Sequence, residues 1–441
     1  MNSIRTDERE FSMKTSSFLG IFLHAFVLCT LAFSGLSFAL TLEETLSMAR
    51  ETLPSYKAAS LRIQSTEALY NASLAPYLPS LDASTVQERH FTSFGEFNTW
   101  GYDVTLSYTL WDWGNRKANR NIAGLNLNIS QEDFRTSLLD LEFSVKSAFY
   151  TAIARKEALD QRKIQMQDAE KDYEVAEGRY KFGVAKLSDT LQSSVRLEQA
   201  RFTLVQAEGD FRKALLELHS LIGRNPDAAY DIQGSLSTEL KLPARDRLSQ
   251  AVILRPEIKQ AEASLKIEEN NKAIALSAFF PLLSTNASYQ TTSGGVSGVA
   301  LGEAGITEDK ILGFTATWNV FELGKFYRIK SSELEKGVAR ERLNDLKRQF
   351  VLDVNRSYED LVTALKNLNV AQQQLKQAEQ NYSQALGEYK VGKGDILSLV
   401  QAESQLASAR EQLISSKLNL MLSKTLLERT AGIDTIEALN Q

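Results

Sequence analysis

Few side chains in this 441-residue chain could take part in acid–base, nucleophilic or metal chemistry. It has a single cysteine, Cys29, and three histidines that lie far apart in the sequence. Adjacent carboxylates occur at Glu43-Glu44 and Glu268-Glu269, but both pairs fall in helical patterns, where a solvated surface position is their usual role. The sequence has no glycine-rich phosphate loop and no Gly-x-Ser-x-Gly elbow. It therefore predicts a protein that is not an enzyme and holds no cofactor and no metal.

The first 39 residues have the pattern of an export signal. An apolar run from Phe18 to Leu40 follows Lys14, and Ser37-Phe38-Ala39 supplies the small residues that a signal peptidase requires, which predicts cleavage after Ala39. An uncleaved membrane anchor is the alternative, since the run is long enough to span a bilayer. Cleavage would remove the only cysteine, so a disulfide in the remaining chain is not expected.

A long helical pattern occurs twice. The first copy turns at Arg179-Tyr180-Lys181-Phe182-Gly183 and the second at Glu388-Tyr389-Lys390-Val391-Gly392, 209 residues later. Large residues recur every seventh position before and after each turn, which predicts pairs of long helices packed as in a coiled coil. An ordinary helical hairpin of a soluble bundle would have the same period. The repeating residues are Leu138, Val145, Ala152, Leu159, Met166, Tyr173 and Tyr180, with Val354, Leu361, Leu368, Leu375, Tyr382 and Tyr389, and on the returning helices Leu197, Leu204, Phe211 and Leu218, with Leu399, Leu406, Leu413, Leu420 and Leu427.

After Pro79 and Pro281 the period changes from that of a helix to that of a strand. Segments of about ten residues alternate between apolar side chains and polar, mostly uncharged ones, as in a transmembrane β-barrel with a wet interior. A half-buried hairpin in a soluble sheet is the alternative. The barrel is favoured by aromatic residues at the strand ends, where they would meet the membrane interface. These residues are Trp111, Trp113, Trp318 and Phe321.

These patterns predict a mixed α and β membrane protein with an internal duplication. Four strands cannot close a barrel, whereas three chains would supply the twelve strands of a closed one. Helices of roughly 65 residues, about 100 Å long, would tile below it. The predicted divisions are a signal peptide 1–39; a first repeat 40–223 with a β-hairpin at about 80–111 and a helical hairpin at about 115–222; a linker 224–247; a second repeat 248–432 with hairpins at about 282–321 and 325–431; and a tail 433–441.

In the order, spacing and duplication of these motifs, the chain resembles the TolC-like outer membrane efflux proteins. The match is carried by the two proline units, the two helical turns, Leu110-Trp111-Asp112-Trp113-Gly114 and Val320-Phe321-Glu322-Leu323-Gly324. The resemblance implies a homotrimeric, passive outer membrane channel of a tripartite efflux or type I secretion system. It also implies docking on a periplasmic adaptor (membrane fusion) protein and energy from an inner-membrane pump. A periplasmic coiled-coil scaffold or adaptor is the alternative. The mild net charge of −5 does not favour nucleic acid.

The resemblance further implies that the two turns are periplasmic tips for adaptor docking and gating. Channel-type relatives carry acidic residues six and nine positions after the second turn glycine, where this chain has Ser398 and Gln401. Asp395 lies nearby, and the first copy has Asp189 and Gln192, so we expect these five residues to include any pore constriction, with Asp189 and Asp395 forming any remaining acidic ring. Capping of helix starts is the open alternative for the two aspartates, and heptad packing is the alternative for both tyrosines. The candidate docking residues are Arg179, Tyr180, Gly183, Val184, Tyr389, Gly392 and Lys393.

Overall fold

A computed structural model describes residues 40–93, 95–224, 232–237, 240–294 and 306–436. Three predicted regions lie partly or wholly outside these ranges: the signal peptide, residues 295–305 within the second β-hairpin, and part of the linker. Within them, the fold is the predicted one: a duplicated architecture of long helices with one small sheet. Among the described residues, no helix combines the length and hydrophobicity needed to cross a membrane.

Local sequence signals explain where the elements of the first repeat begin. Thr41 and Glu44 form a capping box at the start of the first helix, and Pro54 starts the second, because its fixed φ suits the first helical turn. Gly114, with φ of 87°, precedes the first long helix. The elements are α1 Leu42–Thr52, α2 Pro54–Ala72, β1 Ser80–Thr92, β2 Gly95–Trp111, α3 Asn115–Lys181 and α4 Leu187–Leu221.

The second repeat has the same order of elements. Pro256 starts the helix before its strands, as Pro54 does in the first repeat. Residues 245–247, at the end of the predicted linker, belong to a helix. Ile232 and Leu236 of the linker are buried, so the described part of this segment packs against the core. The elements are α5 Arg245–Ala251, α6 Pro256–Ser277, β3 Leu282–Gly294, β4 Ile306–Thr317, α7 Leu323–Lys390 and α8 Ile396–Ala431.

The four strands form one antiparallel sheet in the order β1-β2-β3-β4. The pairing of β2 with β3 joins the two repeats, and apolar rows cross all four strands, as at Leu81, Leu106, Ala287 and Leu312. β1 and β4 each have one unpaired edge within the chain. The sheet is therefore open on both sides.

The strands differ from the expectation in length and in their ends. β1 has 13 residues and β2 has 17, rather than about ten, because their pairing continues to the Thr92–Gly95 pair. Trp100 lies in this paired region, opposite Gln87. β4 ends at Thr317, so Trp318 and Phe321 follow the strand, and the helix expected from about residue 325 begins at Leu323.

The helices form a layer with two different halves. Near the sheet the packing order is α2-α3-α6-α7, and near the turns it is α4-α3-α8-α7. The 67-residue α3 and 68-residue α7 therefore run through both halves, a length of about 100 Å each. The shorter helices meet end to end in the middle, where the Thr52 hydroxyl donates to the carbonyl of Ile222 at 2.7 Å. Arg255 likewise donates to the carbonyl of Thr430.

The apolar core is continuous in the middle of the layer and divided near the turns. The middle core includes Phe149, Leu218 and Ile258, which are fully or almost fully buried. Toward the turns, one separate cluster joins α3 to α4 around Ala169, and another joins α7 to α8 around Ala409. Toward the turns, each helical hairpin thus has its own apolar seam, and ion pairs and hydrogen bonds connect the two hairpins.

Candidate functional site at the helical turns

The two turns have the same backbone structure. Gly183 and Gly392 have φ of 72° and 75°, a left-handed conformation that glycine adopts without a steric penalty. The amide of Val184 donates to the carbonyl of Arg179, and the amide of Lys393 donates to that of Glu388, both at 2.9 Å. These six-to-one bonds are those of a Schellman motif, which satisfies the last carbonyls of each long helix. Glycine is needed at both turns for this reason.

Arg179 connects the two turns within one chain. Its guanidinium donates to the carbonyl oxygen of Tyr389 and lies 4.7 Å from the centroid of the Tyr389 ring. Tyr389 is only 3% exposed, and burial raises the pKa of its hydroxyl. Tyr389 therefore packs in the interior of the tip, whereas Tyr180 is exposed. The tip of the first repeat is in this way fixed to that of the second.

Apolar side chains project from both tips. Phe182 is 87% exposed, and Val184, Leu187 and Val391 are also largely exposed. Lys393 and both turn glycines are exposed beside them. A contiguous exposed apolar patch with a charged neighbour is characteristic of a protein–protein contact surface. The docking role of these residues stays a prediction.

The candidate constriction residues lie at the starts of the returning helices. The Asp395 carboxylate accepts the Ser398 amide at 2.7 Å, and this bond lowers the pKa of Asp395. Asp189, half-buried, accepts a bond from the neighbouring Ser188 hydroxyl at 3.2 Å. Gln192 is half-buried, and Ser398 and Gln401 are exposed. Capping thus accounts for the contact of Asp395, and an acidic ring stays a prediction because it requires further chains.

A buried charge cluster that the sequence did not indicate joins the two hairpins about two helical turns from the tips. Arg196 of α4 forms an ion pair with Glu403 of α8, and Asp172 of α3 and Tyr382 of α7 lie within its electrostatic reach. We call these residues, Asp172, Arg196, Tyr382 and Glu403, the four-helix charge cluster. Each of the four helices contributes one side chain, so the cluster bridges the seams that the apolar residues leave separate.

The four-helix charge cluster is incompletely neutralised. Asp172 and Glu403 are 8% and 7% exposed; Glu403 is ion-paired with Arg196, whereas one oxygen of Asp172 has no hydrogen-bond partner in the described part of the chain. Burial raises the pKa of Asp172, although Arg196 opposes this, and burial also raises the pKa of Tyr382 to about 12. Two carboxylates share one arginine. The arrangement is therefore a charged contact whose strength depends on protonation.

The predicted interface aromatics lie where the sheet meets the helices. The indole nitrogen of Trp113 donates to the carbonyl of Pro281 at 2.8 Å, and that of Trp318 donates to the carbonyl of Phe279 at 3.0 Å. Trp111 and Phe321 are exposed. Contact with lipid stays a prediction for all four aromatics. Across the described residues, no group of three His, Cys, Asp or Glu side chains could hold a metal ion.

Comparison with known proteins gives a family match over most of the chain. The model of a family described as outer membrane efflux protein matches residues 45–224 and 248–432, which correspond to the two repeats. Protein CyaE of Bordetella pertussis is 28% identical over 51% of this chain and 49% of its own length. The probable outer membrane lipoprotein SilC of Salmonella typhimurium is 26% identical over 54% of this chain and 52% of its own. The chain thus spans about half the length of these curated relatives.

Solved structures share the whole fold at low sequence identity. The outer membrane protein VceC of Vibrio cholerae gives a TM-score of 0.76 at 17% identity, covering 89% of this chain and 96% of that one. The open state of the MtrE outer membrane channel of Neisseria gonorrhoeae gives 0.74 at 20% identity, with 89% of both chains covered. At these identities the likeness concerns the fold.

Proposed function

Since the chain belongs to the outer membrane efflux protein family, we propose that it forms the outer membrane duct of a tripartite efflux or type I secretion system. Its location is the outer membrane. The duct is passive: it carries small molecules or proteins outward, and an inner-membrane pump supplies the energy. The observation that carries this proposal is the combination of one open four-stranded sheet with two helical hairpins about 100 Å long.

The open edges support assembly as a homotrimer. β1 and β4 both lack a neighbour on one side, and unpaired strand edges are not stable in lipid. In the helical layer, α4 and α7 are the outer members near the turns. α4 exposes Val195, Phe202 and Leu216, which are spaced by multiples of seven, and α7 exposes Val370. Three chains joined edge to edge would pair both strand edges and cover these apolar rows.

The division of the apolar core supports opening by movement of the helical hairpins. Among the described residues, the contacts between the hairpins on the side of the turns include the four-helix charge cluster, the pair of Arg162 with Glu411 and the bond of Arg179 to Tyr389. Polar contacts can exchange for water at a smaller cost than a packed apolar seam. The duct would open when these contacts break and each hairpin moves as a unit.

The exposed tips support docking of a periplasmic adaptor. Phe182 and Val184 on one turn and Val391 on the other offer apolar contacts, and Lys393 offers a charge. A periplasmic coiled-coil scaffold, the alternative function, would account for the heptads but would leave the open sheet without a purpose. The adaptor and the pump are therefore the partners that the proposal assigns, together with outer membrane lipid.

The test is the oligomeric state and location of the protein. Membranes from expressing cells are fractionated and extracted with detergent, and the mass of the protein in the micelle is measured by light scattering. We expect an outer membrane particle of three processed chains, each below the 49.2 kDa of the full sequence. A detergent-independent monomer or dimer in the periplasm would overturn the duct and favour the scaffold.

A further inference from the structure

A crevice of about 230 Å³ lies between α3 and α8, on the sheet side of the four-helix charge cluster. Small side chains open it, since Ala158 of α3 and Ala407 of α8 occupy positions where larger residues would fill the gap. Ile414 and Leu418 of α8 supply an apolar wall. The crevice therefore combines a preformed space with an apolar surface, as ligand sites do.

The polar part of the lining is cationic. Arg155, Arg162 and Arg410 line the crevice, with Glu411 as the only acidic lining residue, whereas the whole chain carries a net charge of −5. Arg162 is fully engaged: it bonds the Glu411 carboxylate at 3.0 Å and the Gln165 side chain at 2.8 Å. The other two arginines thus remain as excess positive charge.

Arg155 and Arg410 are the groups without a counter-ion. Among the described residues, no hydrogen bond or ion pair involves the side chain of either. Arg410 is half-buried beside the apolar wall, whereas Arg155 is exposed at the mouth of the crevice. A guanidinium presents several N–H donors in a planar fork that matches the two oxygens of a carboxylate or phosphate.

We propose that this crevice binds a small organic anion. Its carboxylate or phosphate group lies between Arg155 and Arg410, and its apolar body packs against Ile414 and Leu418. The bound anion joins α3 to α8, which belong to different hairpins, and so it adds a contact between the two repeats. This site lies away from the helical tips, and the inference does not depend on the proposed docking or on the proposed transport.

The crevice remains accessible when chains assemble through their free edges. α3 and α8 are the middle pair of the helical layer near the turns, whereas α4 and α7 are its edges. All lining residues belong to α3 and α8 of one chain. A neighbouring chain packed against α4 or α7 therefore leaves the site in place.

The test uses the purified full-length protein in detergent and fluorine NMR. The probe is para-(trifluoromethyl)benzoate, and its neutral counterpart is para-(trifluoromethyl)benzamide, which has nearly the same shape. We expect the benzoate resonance to shift and broaden in a saturable manner, and the amide to bind at least about tenfold more weakly, because it lacks the charge-assisted bonds. Equal binding of the two probes would overturn the proposal.

Three variants test the location of the site: one removes its charge, one is a control for charge, and one fills its space. Arg155→Gln with Arg410→Gln is expected to weaken benzoate binding about tenfold or more. The matched control, Lys163→Gln with Arg201→Gln, removes two positive charges outside the crevice and should leave binding unchanged. Ala158→Met fills the space without changing charge and should also abolish binding. If the control weakens binding as much as the arginine pair, or if Ala158→Met has no effect, the site is not this crevice.

Discussion

Substitution of Arg196 tests whether the four-helix charge cluster holds the two hairpins together. Among the described residues, Arg196 is the ion-pair partner of Glu403, so Arg196→Met leaves this buried carboxylate unpaired and removes one of the cations that favour the charged form of Asp172. Removing one partner of a buried ion pair typically costs about 3–5 kcal/mol. At the lower limit, the equilibrium between closed and separated hairpins would shift on the order of a hundredfold toward separation.

Hydrogen–deuterium exchange of the detergent-solubilised protein measures this shift directly. We expect Arg196→Met to lose protection in residues 165–200 and 375–410, while the middle core around Phe149 stays protected. Arg201→Gln is the matched control, since Arg201 is exposed and its ion pair is with Glu198 on its own helix. Unchanged protection in Arg196→Met, or an equal loss in the control, would refute the assignment of the cluster as a contact between hairpins.

Asp172→Asn should have the opposite effect, with a defined dependence on pH. The pKa of Asp172 is raised in the folded protein, mainly by burial; Arg196, Lys390 and Lys171 lower it, and Asp168 raises it further. Protonation of Asp172 stabilises the folded protein. This stabilisation is fully present below the unfolded pKa, 3.8, and it is lost as the pH rises through the raised pKa of the folded protein. At neutral pH, Asp172→Asn should therefore slow exchange near the tips. Relative to the intrinsic exchange rate at each pH, mild acidification should increase protection near the tips in the wild type but not in this variant.

Three further predictions concern the turns. Gly183→Ala places a Cβ on a residue with positive φ and should destabilise the first turn by about 1 kcal/mol, which thermal unfolding can measure against a substitution elsewhere on the helix surface. Asp395→Ala should fray the start of α8, seen as faster exchange of the Ser398 amide, whereas a serine at 395 should restore protection. Phe182→Ser with Val184→Ser should abolish adaptor binding in a pull-down while the trimer mass is retained; unchanged binding would exclude the tips as the docking surface.

The heptad pattern predicted the helical hairpins well because packing itself sets that period. Val145 and Leu361 lie in their rows at the predicted seven-residue spacing, and both are fully buried. The strand ends were less predictable: β2 continues past its alternating segment because β1 offers hydrogen bonds as far as Thr92. The ends of a strand thus depend on its partner rather than on its own pattern.

The four-helix charge cluster could not be predicted from the sequence. Arg196 and Glu403 are more than 200 residues apart, and each lies next to a heptad row in which charged residues are common. Only the packing of α3 against α8 brings their helices together. The crevice between Arg155 and Arg410 depends on the same contact between the two repeats. The heptad pattern of one repeat does not indicate how the two repeats pack against each other.

The contact of Arg179 with Tyr389 has a consequence for the symmetry of the proposed trimer. The position equivalent to Arg179 in the second repeat is Glu388, and the position equivalent to Tyr389 in the first is Tyr180. The reciprocal contact would thus place a carboxylate over an aromatic ring, which the negative face of the ring disfavours. In a ring of six identical half-chains, every junction would be the same, so the contact of Arg179 with Tyr389 could not occur at every second junction only. In the proposed trimer, the divergence of the two copies would therefore reduce a sixfold arrangement to a threefold one, with two chemically different kinds of junction at the tips.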